Sequence, residues 1–487
     1  MNILFAASEA APFIKSGGLG DVMESLPREI SKIKENSVAL VIPYYKSIKE
    51  NENIRPQFVT AFYMPLAWRF SYVGVFRYVI KNKGVGRNKR NDLVVYFIDN
   101  EHYFSRDAHP YGYCDDGERF AFFSKAVLEF INHIDFVPDI IHCNDWQTGF
   151  VPLLLKALYK DSARHKNIKT VFTIHNIEYQ GMADPPFLQD VLGIDESFRN
   201  IATYDGLINS LKSALVLSDK ITTVSQTYSH ELSFAYFARG MEKIIEENRY
   251  KMCGIVNGID TRLYDASSDE YIEKNFKYSD LSGKEICKES LQRECNLPIR
   301  SDVPVIGVVS RLVSHKGMDL IRQAGDRLCN MDIQLVVLGT GDREYEDYFN
   351  YLSYIYPDKV HAHIGFDGAF ARRIYAGADF FLMPSLSEPC GLSQLIAMRY
   401  GTIPIVSETG GLVDTVPPVN VETLEGRGFT FKLSNADDMM GAVERACDFF
   451  KDKEKTKKLK SNIMKFDSSW KNGAELYNGI YRELCNL

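Results

Sequence analysis

Short apolar runs alternate with amphipathic stretches of helical period along most of the chain. In the first half, the runs that predict β-strands are Ile3–Ala7, Ser37–Ile42, Tyr72–Ile80, Leu93–Ile98, Asp139–His142, Thr170–Ile174 and Ile221–Val224. Their hydrophobicity is mostly continuous, which is typical of parallel strands that are buried on both faces. Tyr72–Ile80 and Leu93–Ile98 enclose a polar loop over residues 81–90, so this pair predicts a local hairpin.

The pattern breaks between about Asp265 and Arg300, where the chain is polar and charged and has no strong strand signal. Strand candidates then resume at Val303–Val309, Ile333–Leu338, Lys359–Ile364, Phe380–Met383, Ile403–Val406 and Gly428–Phe431. Helical patterns lie between them, as over Gly317–Asn330 and Gly391–Tyr400. Two successive βαβ series predict an α/β protein with two doubly wound, Rossmann-like domains.

We expect a first domain over residues 1–250, a second over residues 257–465, and a C-terminal segment over residues 466–487. The last segment has apolar positions at helical spacing, and we expect its helix to pack back on the first domain. Ligands bind at the carboxyl ends of parallel strands, so two such domains facing each other would form a cleft. The lysine-rich run Lys451–Lys460 is interpreted as a solvated helix face.

Composition narrows the class of protein. The chain has 487 residues, 45% hydrophobic and 25% charged, as is ordinary for a soluble enzyme, and its net charge of −7 argues against a nucleic-acid partner. Its nine cysteines form no C-x-x-C pair, which favours free thiols in a reducing compartment. No apolar run reaches the roughly 18 residues of a membrane span, and no signal-type segment opens the chain. We therefore expect a cytoplasmic protein without a membrane partner.

The most informative motif is Lys15-Ser-Gly-Gly-Leu-Gly-Asp21, which lies between the first strand and a helical pattern beginning near Leu19. A glycine loop at a helix N-terminus places backbone N–H groups and the positive end of the helix dipole at one point, where an anion such as phosphate binds well. Gly17 and Gly18 leave the backbone bare, and a cation and a carboxylate flank the loop. The alternative interpretation is a glycine turn with only a structural role.

Two further motifs follow strands of the first domain. In His142-Cys-Asn-Asp145-Trp146, a carboxylate beside an aromatic ring suits a sugar, although Asp145 alternatively caps the next helix. In Thr173-Ile-His175-Asn176, the histidine lies where a strand passes into a loop among hydrogen-bonding neighbours. A lone histidine is often structural, but this position favours a functional role.

The second domain carries cations at its first strand end. Arg311 follows that strand and Lys316 precedes the next helix, where a cation is unfavourable unless an anion lies nearby. Together they suit a diphosphate leaving group, and the alternative is a pair of surface charges.

Glu388 precedes a helix whose first N–H groups belong to residues 391–393, an arrangement that suits a sugar and its phosphate. The sequence has no cluster with metal-ligand spacing and no G-x-S-x-G nucleophile turn.

Taken together, these motifs resemble bacterial glycogen synthases and plant starch synthases over nearly the whole chain. The most specific segments are KSGGLGDV at 15–22, HCNDWQT at 142–148, TIHNIEYQG at 173–181, VNGID at 256–260, SRLVSHKG at 310–317, SEPCGLSQ at 387–394 and TGGLVDTV at 409–416. The resemblance implies a GT-B fold, in which two Rossmann-like domains face each other across a cleft. It also implies retaining transfer of glucose from ADP-glucose to the 4-hydroxyl at the non-reducing end of glycogen or another α-1,4-glucan, without a metal or organic cofactor.

The resemblance also assigns roles to individual residues. Arg311 and Lys316 would hold the diphosphate, Glu388 would position glucose, and His175 and Asp145 would lie on the sugar side as further catalytic residues. The other positions implied for donor binding are Lys15, Gly17, Gly18, Asp21, Asn176, Asn257, Phe366, Cys390, Gly391, Leu392, Ser393, Thr409 and Gly410. Retention would proceed by attack on the same face of the sugar, with the acceptor proton passing to the departing phosphate.

The chain departs from many relatives at two positions. Ser16 stands where many have Thr, and Phe366 stands where a Tyr near the adenine is common, so a hydroxyl is lost there but the ring is kept. Ile396, eight positions after Glu388, replaces the second glutamate of many other retaining transferases, which favours the glycogen synthase pattern. The alternatives are another retaining GT-B transferase that uses UDP-glucose and a silent glucan-binding paralogue, although the latter would be expected to lack these cations.

Overall fold

The chain folds into two units whose boundary lies between Asn257 and Gly258. The computed structural model describes residues 1–82, 92–106 and 109–487. Unit 1 comprises Met1–Asn257 together with Trp470–Leu487, and unit 2 comprises Gly258–Ser469. Within the described ranges, no helix is both long enough and apolar enough to cross a membrane.

The strands and helices follow each other in an α/β order. The strands are β1 (Asn2–Ala6), β2 (Ser37–Pro43), β3 (Gln57–Leu66), β4 (Arg69–Ile80), β5 (Leu93–Asp99), β6 (Ile140–Asn144), β7 (Lys169–Ile174), β8 (Met182–Ala183), β9 (Thr203–Tyr204), β10 (Leu207–Asn209), β11 (Lys220–Thr223), β12 (Met252–Gly254), β13 (Val305–Val309), β14 (Gln334–Gly339), β15 (Val360–Ile364), β16 (Phe380–Met383), β17 (Ile403–Ser407) and β18 (Phe429–Phe431). The α-helices are α1 (Gly18–Ile30), α2 (Lys46–Lys49), α3 (Glu101–Phe104), α4 (Asp116–Glu129), α5 (Phe150–Leu154), α6 (Phe187–Asp190), α7 (Arg199–Ala202), α8 (Ser210–Leu217), α9 (Gln226–Glu231), α10 (Ala235–Ala238), α11 (Glu242–Glu247), α12 (Ser282–Glu294), α13 (Met318–Asn330), α14 (Arg343–Ile355), α15 (Gly368–Gly377), α16 (Ser393–Arg399), α17 (Gly411–Thr415), α18 (Ala436–Phe450), α19 (Lys453–Met464) and α20 (Lys471–Leu484).

The main sheet of unit 1 has the strand order β12-β11-β7-β6-β1-β2-β5-β4-β3. The strands from β12 to β5 in this order pair in parallel, as their continuous apolar runs predict. Ile3, Leu4, Phe5 and Ala6 of β1 are completely buried, because helices cover both faces of a doubly wound sheet. The predicted hairpin is confirmed by the antiparallel pairing of β4 with β5, while residues 83–90 of its loop lie outside the described residues.

The sequence analysis missed the edge strand β3. It pairs antiparallel with β4 and has a register shift between Phe58 and Thr60. Its sequence contains Pro65 and exposes Phe58 and Tyr63, so it has neither a continuous apolar run nor a clean alternation. An edge strand tolerates a proline and needs only one partner, which is why the pattern was weak.

The C-terminal helix α20 belongs to unit 1 and packs through Tyr477 and Tyr481, which are both buried. The Tyr481 hydroxyl lies 2.7 Å from His142 Nδ1, and His142 Nε2 lies 2.5 Å from Thr173 Oγ1. Burial lowers the pKa of His142 to about 3, so its imidazole is neutral at physiological pH. This buried network connects the helix to β6 and β7.

The sheet of unit 2 has the order β15-β14-β13-β16-β17-β18, and all of its strand pairs are parallel. The chain moves outward from β13 through β14 and β15, then returns to the other side of β13 with β16. The strand order therefore reverses between β13 and β16, and such a switch point is where doubly wound sheets bind ligands.

The interpretation of the lysine-rich run as a solvated face is wrong for its last member. Lys460 on α19 is buried, and its Nζ lies 2.6 Å from Asp379 Oδ1. Lys288 on α12 lies 2.8 Å from the other oxygen of the same carboxylate. The two ammonium groups hold the pKa of the buried Asp379 carboxyl below its usual range despite its burial. A lysine in a charged run thus becomes part of the core because a buried carboxylate lies within its reach.

Replacing Tyr481 by Phe is expected to destabilise unit 1, because His142 Nδ1 would remain buried without its hydroxyl partner. We expect a loss of about 1–3 kcal/mol, measured as a shift of the urea midpoint of the intact chain. Tyr250→Phe is the matched control, since Tyr250 is 83% exposed and its variant should unfold like the wild type. Equal urea midpoints for Y481F and Y250F would show that the Tyr481–His142 hydrogen bond does not contribute to the stability of unit 1.

Candidate active site

In unit 1, the predicted residues gather at the carboxyl ends of three neighbouring strands. The glycine loop follows β1, Asp145 follows β6, and His175 follows β7. Parallel pairing places these three strand ends at the same edge of the sheet. The strand order also reverses at β1, which has β2 on one side and β6 on the other. We call Lys15, Asp21, Asp145, His175 and Asn176 the unit 1 cluster.

The glycine loop differs from the expected open anion site. Part of its backbone already binds an internal anion, because the buried Glu9 carboxylate accepts hydrogen bonds from the N–H groups of Ser16 at 2.7 Å and Gly20 at 3.0 Å. Gly17 and Gly18 are exposed. The amides that remain for a ligand are therefore fewer than the sequence suggested.

The flanking charges of this loop pair with each other. Lys15 Nζ lies 2.7 Å from Asp21 Oδ1, and both side chains are partly exposed. Burial raises the pKa of the Asp21 carboxyl, and the Lys15 charge opposes that shift. The structure thus brings together the predicted cation and carboxylate at the start of α1.

Asp145 has a strained backbone, with φ 56° and ψ 177°. Residues in this region cost on the order of 1–3 kcal/mol and persist only where their surroundings hold them. Here the Asp145 N–H donates to the Thr173 carbonyl at 3.0 Å, and its Oδ1 accepts from the N–H groups of His175 at 2.7 Å and Asn176 at 3.3 Å. The side chain does not cap the short helix that follows, so the capping interpretation is wrong.

Asp145 also has a perturbed pKa. Burial raises the pKa of its carboxyl to about 7, the two backbone donors oppose this shift, and the Glu9 charge adds to it. A carboxyl group that changes charge near neutral pH, on a strained residue at a strand end, is typical of a functional position.

His175 is held by Asn144, the last residue of β6. The Asn144 amide nitrogen donates to the carbonyls of Ala6 and His142, at 3.1 and 3.0 Å, so its Oδ1 must act as the acceptor for His175 Nε2–H at 3.0 Å. Nδ1 is then the unprotonated nitrogen of the ring. Burial lowers the pKa of His175 to about 3, so the imidazole is neutral at physiological pH.

Two predicted residues complete the description of unit 1. Asn176 Oδ1 accepts a hydrogen bond from the Glu178 N–H at 3.0 Å, which shapes the loop after β7. Asn257, at the end of unit 1, is buried, and its Oδ1 has no hydrogen-bond partner among the described residues. Buried amide oxygens are rarely left without a donor, so this atom is suited to a ligand or a water molecule.

In unit 2, the strongest predicted pair lies at the switch point. Lys316 Nζ lies 2.6 Å from Glu388 Oε2, although the two residues are 72 positions apart in the chain. Both side chains are largely buried, and Ser385 Oγ donates to the same carboxylate oxygen at 3.0 Å. Lys316 follows β13 and Glu388 follows β16, the two strands between which the order reverses. We call Lys316, Glu388 and Gly391 the unit 2 cluster.

Close backbone contact brings the loops after β13 and β16 together. The Leu386 N–H donates to the His315 carbonyl at 2.9 Å. Gly317 has φ 75°, and a Cβ at this position would lie 1.9 Å from the Pro384 carbonyl oxygen. Only glycine fits both the left-handed conformation and this contact. The glycine after Lys316 therefore allows the two loops to approach until Lys316 reaches Glu388.

The segment after Glu388 forms the entry to α16. Cys390 is buried, Gly391 has φ 76°, and Leu392 and Ser393 are partly exposed. The buried Gln394 side chain holds this turn by donating to the carbonyls of Cys390 at 3.0 Å and Gly391 at 2.9 Å. The first N–H groups of a helix have no intrahelical acceptor, so this entry presents donors beside Glu388.

Thr409 and Gly410 lie in the loop after β17 and are buried. This loop is joined to the loop after β16, because the Gly411 N–H donates to the Glu388 carbonyl at 3.0 Å.

Arg311 and Phe366 are exposed at the ends of β13 and β15 and do not join the Lys316–Glu388 pair. Phe366 is 87% exposed, so its ring is available for a flat ligand.

The sequence analysis did not single out Glu9 and Asn144. Glu9 lies three residues after the end of β1, and Asn144 is the last residue of β6. A carboxylate between a strand and a glycine loop is a usable signal, because loop amides need an acceptor. The role of Asn144 needed the structure, since it depends on a contact between neighbouring strands.

Comparisons with known proteins agree with this arrangement. The family model of the starch synthase catalytic domain matches residues 2–247, and that of group 1 glycosyl transferases matches residues 294–466. The glycogen synthase of Clostridium kluyveri is 44% identical over 486 residues, which cover 99% of this chain and 100% of the relative. The glycogen synthase of Exiguobacterium sibiricum is 45% identical over 488 residues, with 99% of both chains covered.

Solved structures show the same similarity. The catalytic domain of starch synthase IV from Arabidopsis thaliana, bound to ADP and acarbose, has a TM-score of 0.89 and 32% identity, covering 100% of this chain and 99% of that one. Sucrose-phosphate synthase from Thermosynechococcus elongatus, at 17% identity and a TM-score of 0.59 with 100% and 99% coverage, shows the fold alone. The predicted GT-B fold is confirmed. The chain belongs to the glycogen and starch synthase family and is a glycosyltransferase with glycogen synthase function.

Proposed function

We propose that the chain transfers glucose from ADP-glucose to the 4-hydroxyl at the non-reducing end of an α-1,4-glucan, with retention at the anomeric carbon. The observation that carries the proposal is the Lys316–Glu388 pair at the switch point of unit 2, because it offers a cation for phosphate beside a carboxylate for sugar hydroxyls. The ADP bound to starch synthase IV from Arabidopsis thaliana supports an adenine nucleotide donor. The similarity to glycogen synthases supports a glucan acceptor.

In this proposal, Arg311 and Lys316 bind the diphosphate. Lys316 pairs with Glu388 in the structure, and a diphosphate would give its ammonium group a second, more highly charged partner. Glu388 then accepts hydrogen bonds from the glucose hydroxyls, and the amides of residues 391–393 approach the sugar and its phosphate. The two cations stabilise the negative charge that develops on the diphosphate as it leaves.

The remaining residues of unit 2 serve the rest of the donor. Phe366 offers an exposed ring face for the adenine, since flat rings stack without a large entropy cost. Cys390 shapes the turn before α16, and Thr409 and Gly410 lie in the loop that is hydrogen-bonded to the Glu388 carbonyl.

The unit 1 cluster acts on the sugar and on the phosphates. His175 is neutral and holds its Nε2–H on Asn144, so Nδ1 is left to accept a hydrogen bond from a sugar hydroxyl. Asp145, when ionised, places a negative charge where the anomeric carbon becomes positive. Lys15 and the exposed backbone of Gly17 and Gly18 approach the phosphates. The other contacts that we assign to donor binding are those of Asp21, Asn176 and Asn257.

The reaction balances without a nucleophile from the protein. The bond between the anomeric carbon and the diphosphate oxygen breaks, and its electron pair leaves with ADP. The acceptor 4-hydroxyl attacks from the same face and forms the new glycosidic bond, while its proton passes to the departing phosphate oxygen. The protein contributes orientation and preorganised charge.

We also infer that the protein works in the cytoplasm. All nine cysteines lie in the described part of the chain, where none of them forms a disulfide, and burial raises the pKa values of the Cys143, Cys295 and Cys329 thiols. Thiols that form no disulfide suit a reducing compartment. The net charge of −7 supports the absence of a nucleic-acid partner.

The donor assignment is tested by initial rates of glucosyl transfer to glycogen with ADP-glucose and UDP-glucose side by side. We expect kcat/KM for ADP-glucose to be at least tenfold higher. A preference for UDP-glucose would leave the fold and the phosphate-binding residues in place but would overturn the donor assignment. Inactivity with both donors would contradict the proposed reaction.

Lys316→Gln and Glu388→Gln are each expected to lower kcat about a hundredfold, because one preorganised charge contact with a transition state is worth about 3 kcal/mol. Glutamine keeps most of the volume of either side chain, so the buried site stays filled. Rates are measured with ADP-glucose and glycogen at saturation.

The matched control for these variants is Glu294→Gln on α12. Glu294 also pairs with a cation of unit 2, Arg373, at 2.8 Å, but it lies outside the unit 2 cluster. We expect E294Q to keep kcat within threefold of the wild type. Similar rates for E294Q and E388Q would remove Glu388 from the proposed site.

The raised pKa of the Asp145 carboxyl leads us to expect a pH-dependent reaction. Because burial raises the pKa of its carboxyl to about 7, the group is neutral below that pH and ionised above it. We expect kcat/KM for ADP-glucose to rise with pH through about 7 and then to level off, since the ionised form is the active one. The pKa values of His142 and His175 are about 3, so they do not titrate in this range.

Asp145→Asn is expected to lose both this pH dependence and most of the activity. A wild-type profile that is flat between pH 6 and 8 would contradict the assignment of an ionised Asp145 to the active form.

A further inference from the structure

Glu9 is a buried carboxylate that lies beneath the glycine loop of unit 1. It is 2% exposed and follows β1 at the carboxyl edge of the sheet. Its Oε2 accepts hydrogen bonds from the Ser16 N–H at 2.7 Å and the Ser16 hydroxyl at 2.5 Å. Its Oε1 accepts from the Gly20 N–H at 3.0 Å. The loop therefore wraps around an internal anion.

The site favours an ionised carboxylate, because the N–H groups of Ser16 and Gly20 and the Ser16 hydroxyl all donate to its two oxygens. An amide side chain would place its NH₂ group against the N–H of Ser16 or of Gly20, neither of which can accept a hydrogen bond. A buried charge is tolerated when several hydrogen bonds replace its hydration. Burial raises the pKa of Glu9, and the donors from Ser16, Gly20 and Gly17 oppose that shift.

The shape of the loop determines where Lys15 lies. A Cβ at Gly20 would lie 3.0 Å from Lys15 Cγ and 3.1 Å from its Cβ, so the stem of the lysine packs directly over Gly20. The Lys15 ammonium then reaches Asp21 at 2.7 Å, and Gly17 and Gly18 stay exposed. The hydrogen bond from the Gly20 N–H to Glu9 therefore fixes the position of Gly20, against which the Lys15 side chain packs.

We propose that Glu9 is a positioning residue for donor binding. Its carboxylate substitutes for an external anion on the inner side of the loop, and it holds the loop so that Lys15 and the exposed backbone of Gly17 and Gly18 face the donor phosphates. This inference rests on the proposed function, because the contact between Lys15 and the phosphates is part of that proposal. Glu9 itself touches neither donor nor acceptor, since the loop covers it.

Glu9→Gln tests the inference in the intact chain. Glutamine has the same shape but only one acceptor oxygen, so one loop amide faces an NH₂ group and the loop must shift. We expect the KM for ADP-glucose to rise at least tenfold and the Kd for ADP, measured by titration calorimetry, to rise by a similar factor. The KM for glycogen should stay within twofold, because the loop acts on the donor.

A structural role alone would give a different result. If Glu9 only stabilised the fold, E9Q would lose active protein and melt at a lower temperature, while the surviving enzyme would keep the wild-type KM and Kd. That result would overturn the inference. Glu101→Gln is the matched control, since Glu101 is a paired carboxylate of unit 1 outside the loop, and all of its constants should match the wild type.

Gly20→Ala provides a second test that leaves the Glu9 charge in place. The added methyl group must push the Lys15 stem away by a few tenths of an ångström, so we expect the KM for ADP-glucose and the Kd for ADP to rise several-fold. Should E9Q fail to fold, unchanged constants in G20A would overturn the inference.

Binding of ADP and ADP-glucose by the wild type distinguishes a failure of this inference from a failure of the proposed function. A wild type that bound neither ADP nor ADP-glucose would overturn both. A wild type that bound ADP normally, together with an E9Q variant that bound it equally well, would overturn the role of Glu9 alone.

Discussion

Parallel strand pairing is the constraint on which the functional arrangement depends. When neighbouring strands run in the same direction, the loops that follow them must emerge at one edge, however far apart they are in the chain. In unit 1 this edge gathers the ends of β1, β6 and β7, and in unit 2 it gathers those of β13, β16 and β17. In each unit the candidate site residues lie beside the strand at which the order reverses, which is the position where doubly wound sheets bind ligands.

Charge compensation is the second common feature of the two clusters. Lys15 pairs with Asp21, Lys316 pairs with Glu388, and the amides after β1 bind Glu9. A recessed charge without a partner is costly, so these charged groups of the candidate site have internal partners in the structure. In the proposed function, a nucleotide sugar would bind by rearranging these existing pairs.

Burial sets the protonation states of three side chains at and near the carboxyl edge of the unit 1 sheet. It lowers the pKa values of His142 and His175 to about 3 and raises that of Asp145 to about 7. The histidines therefore act as neutral hydrogen-bonding groups, while Asp145 changes charge near neutral pH. Similar residue types thus take different roles at one sheet edge because their hydrogen bonds and solvent access differ.

The sequence by itself determined the alternation of strands and helices and the mainly parallel pairing of the two large sheets, and it predicted candidate site residues at strand ends, because these follow from local hydrophobic periodicity and from motifs. Only the tertiary structure decided which charges meet. The Lys316–Glu388 pair joins residues 72 positions apart, and Lys460 is buried because Asp379 lies within its reach. The edge strand β3 also needed it, since pairing at the edge of a sheet leaves little trace in the local pattern, and only the structure showed which loop amides the Glu9 carboxylate binds.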